Sequence, residues 1–205
     1  RRNGIRQEDF TPLDRLCYVG SRGMGALEYE PMIGTGGKDE IVDVDLLSDL
    51  AAEALDDRKR FSADLSDEGL QELIRIGTSA GGARAKAIIG LDESTMEVRS
   101  GQAGLPAGYT HWMIKFDTES GGARKGYGRI EHAYYRMAKD CGIEMSECRL
   151  IETGEKAHFL TKRFDRMGDE KVHMQTLCAL AHYDFKIPGR YGYENVFSTM
   201  LKIDA

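Results

Sequence analysis

The stretch Gly77-Thr78-Ser79-Ala80-Gly81-Gly82-Ala83-Arg84-Ala85-Lys86-Ala87-Ile88-Ile89-Gly90 constrains this chain most. Glycines, hydroxyls and a lysine stand just before an apolar, strand-like run. Glycine lets backbone N–H groups crowd around an anion, and hydroxyls and a lysine add donors and charge. The stretch therefore predicts either a phosphate-cradling loop that feeds a strand or a plain glycine turn before one. It fits neither common phosphate-binding pattern. The Walker loop needs Gly-Lys after its spacers, but Gly82 is followed by Ala83, and G-x-G-x-x-G does not fit either. The residues downstream of Gly90 have to decide between the two.

Glycine is abundant, 24 of 205 residues, so several tight turns are expected. The length allows one large domain or two small ones with a real core. A net charge of −6 excludes a global field that draws the chain onto nucleic acid or an anionic membrane. Cys17, Cys141, Cys148 and Cys178 form no C-x-x-C pair, which predicts reduced, buried thiols and a cytoplasmic protein. No apolar run approaches the roughly 18 residues of a membrane span. No signal-peptide pattern opens the chain, which starts on Arg1-Arg2-Asn3-Gly4 and reads as a fragment or a processed form.

In chain order, Leu16 to Tyr29 reads as a hairpin, with Cys17-Tyr18-Val19 and Ala26-Leu27-Glu28-Tyr29 as its strands. Met32 to Glu40 reads as a connector. Val44, Leu47, Ala51 and Leu55 share a helical face that Asp43 can cap, and a second helix is expected from Ser66 through Ile74. Lys86-Ala87-Ile88-Ile89 and, more weakly, Met96 to Ser100 read as strands. Tyr109 to Phe116 is the strongest strand signal, rich in aromatic and β-preferring residues, with Lys115 near its end. A basic glycine-rich loop from Thr118 to Gly128 precedes an amphipathic helix carrying Ile130, Ala133, Tyr134, Met137, Ala138 and Cys141, which Gly142 stops. Cys148 to Glu152 and Lys156 to Arg163 predict two strands around Gly154-Glu155. Helical segments are expected around Gln175 to Ala181 and from Glu194 to Ile203.

A glycine loop entering a strand, a strand lysine (Lys115), a helix with Glu131 in its first turns, and a strand pair ending in Lys162-Arg163-Phe164-Asp165 come in the order of a kinase small lobe. A lysine inside an apolar sheet needs an anion, because an unpaired buried ammonium is expensive. A helix glutamate supplies one and ATP phosphates supply more. Taken singly, Lys115 reads as a strand-end lysine reaching water and Glu131 as a solvated helix charge. The ordered set favours the kinase arrangement.

The chain resembles the HipA family of bacterial serine/threonine kinases, toxins of type II toxin–antitoxin pairs. The resemblance runs nearly end to end, through Asp14-Arg15-Leu16 to Gly25-Ala26-Leu27, Gly77 to Lys86, His111-Trp112-Met113-Ile114-Lys115-Phe116 and Arg163-Phe164-Asp165-Arg166. It implies an α+β fold with a kinase-like small lobe of mostly antiparallel sheet, preceded by a small N-terminal αβ segment. The implied division is 1–65, the end of an N-terminal subdomain; 66–167, the small lobe; and 168–205, the start of a helical large lobe. ATP would be held by Ser79, Ala80, Gly81, Gly82, Lys115, Glu131, backbone atoms of Lys162 and Phe164, and Asp165 at the ribose. Ser79 occupies the place of the loop serine whose autophosphorylation switches such kinases off, since added negative charge cannot share a cradle with ATP phosphates. The implied cofactors are ATP and Mg²⁺. The implied partners are a helix-turn-helix antitoxin of HipB type, which would carry any DNA contact, and a protein substrate, in some relatives an aminoacyl-tRNA synthetase.

A kinase also needs a catalytic aspartate, an asparagine shortly after it, and a second aspartate for Mg²⁺. His182-Tyr183-Asp184 imitates the first, but the residue at the asparagine position is Gly189. The resemblance places the catalytic loop after Ala205, so these residues alone are expected to bind nucleotide without transferring phosphate. The competing readings are a non-catalytic truncated module that binds the antitoxin, another ATP user with a glycine loop such as a ligase, and a plain αβ interaction domain.

Overall fold

The computed structural model describes residues 10–33, 41–49, 85–101, 104–117, 126–168, 170–184 and 186–203. The expected helix from Ser66 to Ile74 and the glycine loop through Arg84 lie outside the described residues. Seven strands are described: β1 (Lys86–Asp92), β2 (Val98–Ser100), β3 (Tyr109–Lys115), β4 (Cys148–Thr153), β5 (Lys156–Lys162), β6 (Arg166–Met167) and β7 (Glu170–Lys171). The described helices are α1 (Pro12–Val19), α2 (44–49), α3 (Tyr127–Asp140), α4 (Leu177–Leu180) and α5 (Tyr193–Ile203). The first five strands form an antiparallel sheet in the order β2-β1-β3-β5-β4, and β6 pairs with β7. The fold is α+β, as expected.

The alternation in β3 organises the core. Trp112 and Ile114 are fully buried and Phe116, just beyond the strand, is 1% exposed. Across the ladder, Ile89 faces Trp112 and Ala87 faces Ile114, while Leu160 of β5 also faces Ile114. Leu47 of α2, capped by Asp43 through the Asp45 and Leu46 amides, closes over this face together with Val42. Each large aliphatic or aromatic side chain so buried contributes about 1.5–3 kcal/mol.

The N-terminal segment differs from its sequence expectation. Cys17-Tyr18-Val19 is the last part of α1, not a strand. Thr11 and Asp14 form a reciprocal capping box and Pro12 sits in the first turn. These start signals outweigh the β preference of Tyr18 and Val19. Gly20, with φ +54°, ends the helix, and a short 3₁₀ turn over Gly20–Arg22 succeeds it. The thiols also differ: of the four cysteines only Cys148 is buried, and Cys141 is exposed.

Helix α3 approaches the sheet through Gly128, its one buried residue among those described. A Cβ there would lie 1.8 Å from the Ala157 carbonyl oxygen. Ile130, Tyr134 and Met137 of the apolar stripe are exposed, as are Phe197, Met200 and Leu201 of α5.

Candidate functional site

Lys115 ends β3 and projects from the face opposite Trp112 and Ile114. Its Nζ lies 2.5 Å from a Glu131 carboxylate oxygen and 5.6 Å from the centre of the Phe159 ring. Both charged side chains remain about a quarter to a third exposed. The pair is therefore open at one side rather than sealed in the core. Glu131 reaches it because the start of α3 is fixed to the sheet. One Asp117 oxygen accepts the Tyr127 N–H at 3.1 Å, the other accepts the Ala157 N–H at 3.3 Å, and the Asp117 N–H donates to His158 Nδ1 at 3.0 Å. His158 is fully buried. Burial pushes its pKa down, with the Lys156 charge adding to the effect, and keeps Nδ1 an acceptor.

The described chain resumes after the glycine loop directly beside this pair. The Phe116 N–H donates to the Ala85 carbonyl at 3.0 Å, and Lys86 stands opposite Lys115 in the β1–β3 register. Of the site residues expected from sequence, the structure thus joins Lys115 and Glu131, with Ala85 and Lys86 beside them. Ser79, Ala80, Gly81 and Gly82 lie outside the described residues. Cys148, on the same face, has its thiol pushed up by burial, partly offset by Thr161 and by the Lys115 charge.

At and just beyond the far end of β5 stand the other expected residues, Lys162, Phe164 and Asp165. The Lys162 side chain turns to the other face, where Nζ bonds Glu93 at 2.8 Å and lies 5.6 Å from the Trp112 ring centre. The Phe164 side chain is 64% exposed. Asp165 is 1% exposed, and both its oxygens are held by protein donors. Oδ1 accepts Arg163 Nε at 2.8 Å, while Oδ2 accepts the other Arg163 arm at 2.7 Å, the Gly25 N–H at 2.8 Å and Arg166 at 2.9 Å. Desolvation alone would raise its pKa, but these hydrogen bonds and the two guanidinium charges win and hold it at about 2. In this structure Asp165 is a clamp between the post-β5 segment and the N-terminal segment.

Sequence reasoning misses this clamp. Arg166 extends it by donating to the Gly23 and Gly25 carbonyls, both at 3.1 Å. Gly25, at φ +75°, brings its backbone so close that a Cβ would lie 3.0 Å from the Met174 nitrogen. The available signal is the alternation of charge in Arg163-Phe164-Asp165-Arg166 at a strand end, where three neighbouring charges need one another if any is buried.

Among the described residues no His, Cys, Asp or Glu cluster could hold a metal ion, and no helix is long and apolar enough to cross a membrane. The family model for the HipA-like C-terminal domain matches residues 78–205. The chain belongs to the HipA-like family. The match begins inside the glycine-rich stretch and takes in Lys115, Glu131, and Arg163, Asp165 and Arg166 of the clamp. Neither curated proteins nor solved structures give a match.

Proposed function

We propose that this chain carries the ATP-holding part of a HipA-like serine/threonine kinase toxin. The supporting observation is the Lys115–Glu131 pair, 2.5 Å apart and open on one side, with Ala85, which follows the glycine-rich stretch in sequence, hydrogen-bonded to Phe116 next to it. Glu131 orients the ammonium, and Lys86 adds a second positive charge on the same face. Among the described residues, two lysines and one glutamate leave a net positive site at the start of β1. That is the charge a polyphosphate requires. The exposed Phe164 segment at the end of β5 would contact the adenine through its backbone.

Within this reading Ser79 is the autophosphorylated residue, and its phosphate expels ATP by like-charge repulsion. Mg²⁺ would accompany the nucleotide and neutralise phosphate charge. The protein substrate, in the manner of an aminoacyl-tRNA synthetase, and a helix-turn-helix antitoxin partner belong to the same proposal, as does a cytoplasmic location.

The test has two arms. Titration calorimetry with ATP and Mg²⁺ should show binding that Lys115→Met removes. Incubation of the full-length natural protein with γ-labelled ATP should label protein, with part of the label on Ser79. Failure of the native chain to bind ATP, or of the full-length natural protein to label anything, overturns the proposal.

A further inference from the structure

A cleft of about 340 Å³ lies between the Gly20–Arg22 turn, Gly104-Leu105 and the segment after β5. That volume is at the lower end for small-molecule sites, which run from about 300 Å³. Among the described residues, Arg22, Arg163, Arg166 and Lys171 stand on its wall, against the single carboxylate of Glu28. Asp165, behind the wall, offsets one more charge through Arg163 and Arg166. Four cations against two carboxylates leave a surplus of two positive charges, in a chain whose net charge is −6.

Carboxylates cancel only part of this charge, and the remaining bonds of Arg22, Arg166 and Lys171 go to backbone carbonyls, which orient it. Arg22 bonds the Tyr18 and Val19 carbonyls and lies 5.0 Å from the Tyr18 ring centre, and it has no carboxylate partner among the described residues. Arg166 spends its other bonds on the Gly23 and Gly25 carbonyls. Lys171 bonds the Ser21 carbonyl at 2.7 Å as well as Glu28. In front of Gly104 there is open space for 4 Å. A concave wall of one charge sign focuses its field into the cleft and concentrates ions of opposite sign there.

We propose that this cleft binds a small dianion of the phosphate-monoester class, with Arg22 and Lys171 as its charged donors. A dianion matches the surplus of two, whereas a monocarboxylate would leave one positive charge uncompensated. The site is separate from the Lys115–Glu131 pair. His111 of the cleft wall is four residues from Lys115 along β3, about 13 Å at the rise of a strand. The proposal therefore does not depend on the kinase reading.

Inorganic phosphate is the probe, monitored by ³¹P line broadening on the full chain. The native chain broadens the line. Arg22→Gln with Lys171→Gln weakens binding at least tenfold, with the fold checked by circular dichroism. Glu28→Gln, which removes the one carboxylate on the wall, tightens binding several-fold, a gain that misfolding does not produce. In a Lys115→Met background the line is still broadened, and the broadening that remains is lost on adding Arg22→Gln with Lys171→Gln. The proposal is overturned if the native chain leaves the line sharp, if the double variant binds like the native chain, if Glu28→Gln fails to tighten binding, or if Lys115→Met abolishes it, which would place phosphate at the nucleotide site.

Discussion

Lys86 and Lys115 stand directly opposite each other across the β1–β3 ladder. Like charges at such a position destabilise a strand pair unless something of opposite sign joins them. Glu131 joins Lys115 at 2.5 Å, and among the described residues no carboxylate joins Lys86. Among the described residues the site thus retains one positive charge in excess, at the start of β1. Sequence order places these groups in a line, and the sheet register brings them to one place.

That excess charge makes the two ends of the ion pair separable by experiment. Lys115→Met should lower ATP affinity at least tenfold, about 1.4 kcal/mol. Glu131→Gln should lower it less, because the ammonium remains and only its orientation is lost. Both side chains are partly exposed, so the pair itself contributes at most about 1 kcal/mol to folding. Calorimetric ATP titration beside a urea unfolding curve checks this: affinity should fall while the unfolding midpoint barely moves.

Gly128 is required by the contact of α3 with β5. Its missing Cβ would sit 1.8 Å from the Ala157 carbonyl oxygen, a backbone atom that cannot step aside like a side-chain tip. Gly128→Ala should therefore cost about 2–3 kcal/mol, despite the better helix propensity of alanine. It should also loosen the Lys115–Glu131 pair, since Glu131 rides on the same turn. Gly142→Ala is the control: its Cβ meets nothing within 4 Å, but φ is +76°, so it should cost only about 1 kcal/mol of backbone strain. Thermal denaturation of the two variants tests the ranking.

The Asp165 clamp predicts acid sensitivity with a definite sign. Its folded pKa, about 2, lies below the ordinary 3.8. The unfolded chain therefore takes up the proton first as pH falls. The stabilisation is fully present above about pH 4 and is lost as pH drops toward 2, a difference of about 2 kcal/mol. Asp165→Asn should cost about 3 kcal/mol at neutral pH, because it leaves the Arg163 and Arg166 charges buried together. It should also free the Gly23–Gly25 segment, which limited proteolysis would detect as new cleavage near Met24.

How much of the fold and site is legible in the sequence depends on how local each cause is. The alternation through Trp112, Ile114 and Phe116 and the apolar run of β1 are visible because each strand buries one face against its neighbours. The order of loop, lysine and glutamate is equally visible, and so is the stop at Gly142. The segment Pro12–Val19 is a helix where the sequence suggests a hairpin strand. Its cause is local too, in Thr11-Pro12-Leu13-Asp14, but the β preference of Cys17-Tyr18-Val19 points the other way. The charges at Arg163, Asp165 and Arg166 are visible in the sequence, but their partner in the clamp is not, since Gly25 lies 140 residues away from Asp165. The stripe of α3 is legible as a period but not as a contact: the helix touches the sheet through Gly128, while Tyr134 and Met137 face solvent.

His158 offers the last test, on the element that positions Glu131. Burial, with the nearby Lys156 charge, holds its pKa below the ordinary 6.5, although Asp45, Asp117 and Asp49 oppose the shift. The unfolded chain therefore binds the proton more readily than the folded one. Stability should be flat well above pH 6.5 and should fall as pH drops below it, by up to about 1.4 kcal/mol for each pH unit until the folded group also titrates. Protonation at Nδ1 removes the acceptor of the Asp117 N–H, and Asp117 in turn holds the Tyr127 and Ala157 amides. Urea midpoints at pH 7.5 and 5.5 should differ in the native chain and converge in His158→Asn, which keeps a polar acceptor but does not titrate. Equal slopes in both proteins would show that another group carries the acid sensitivity.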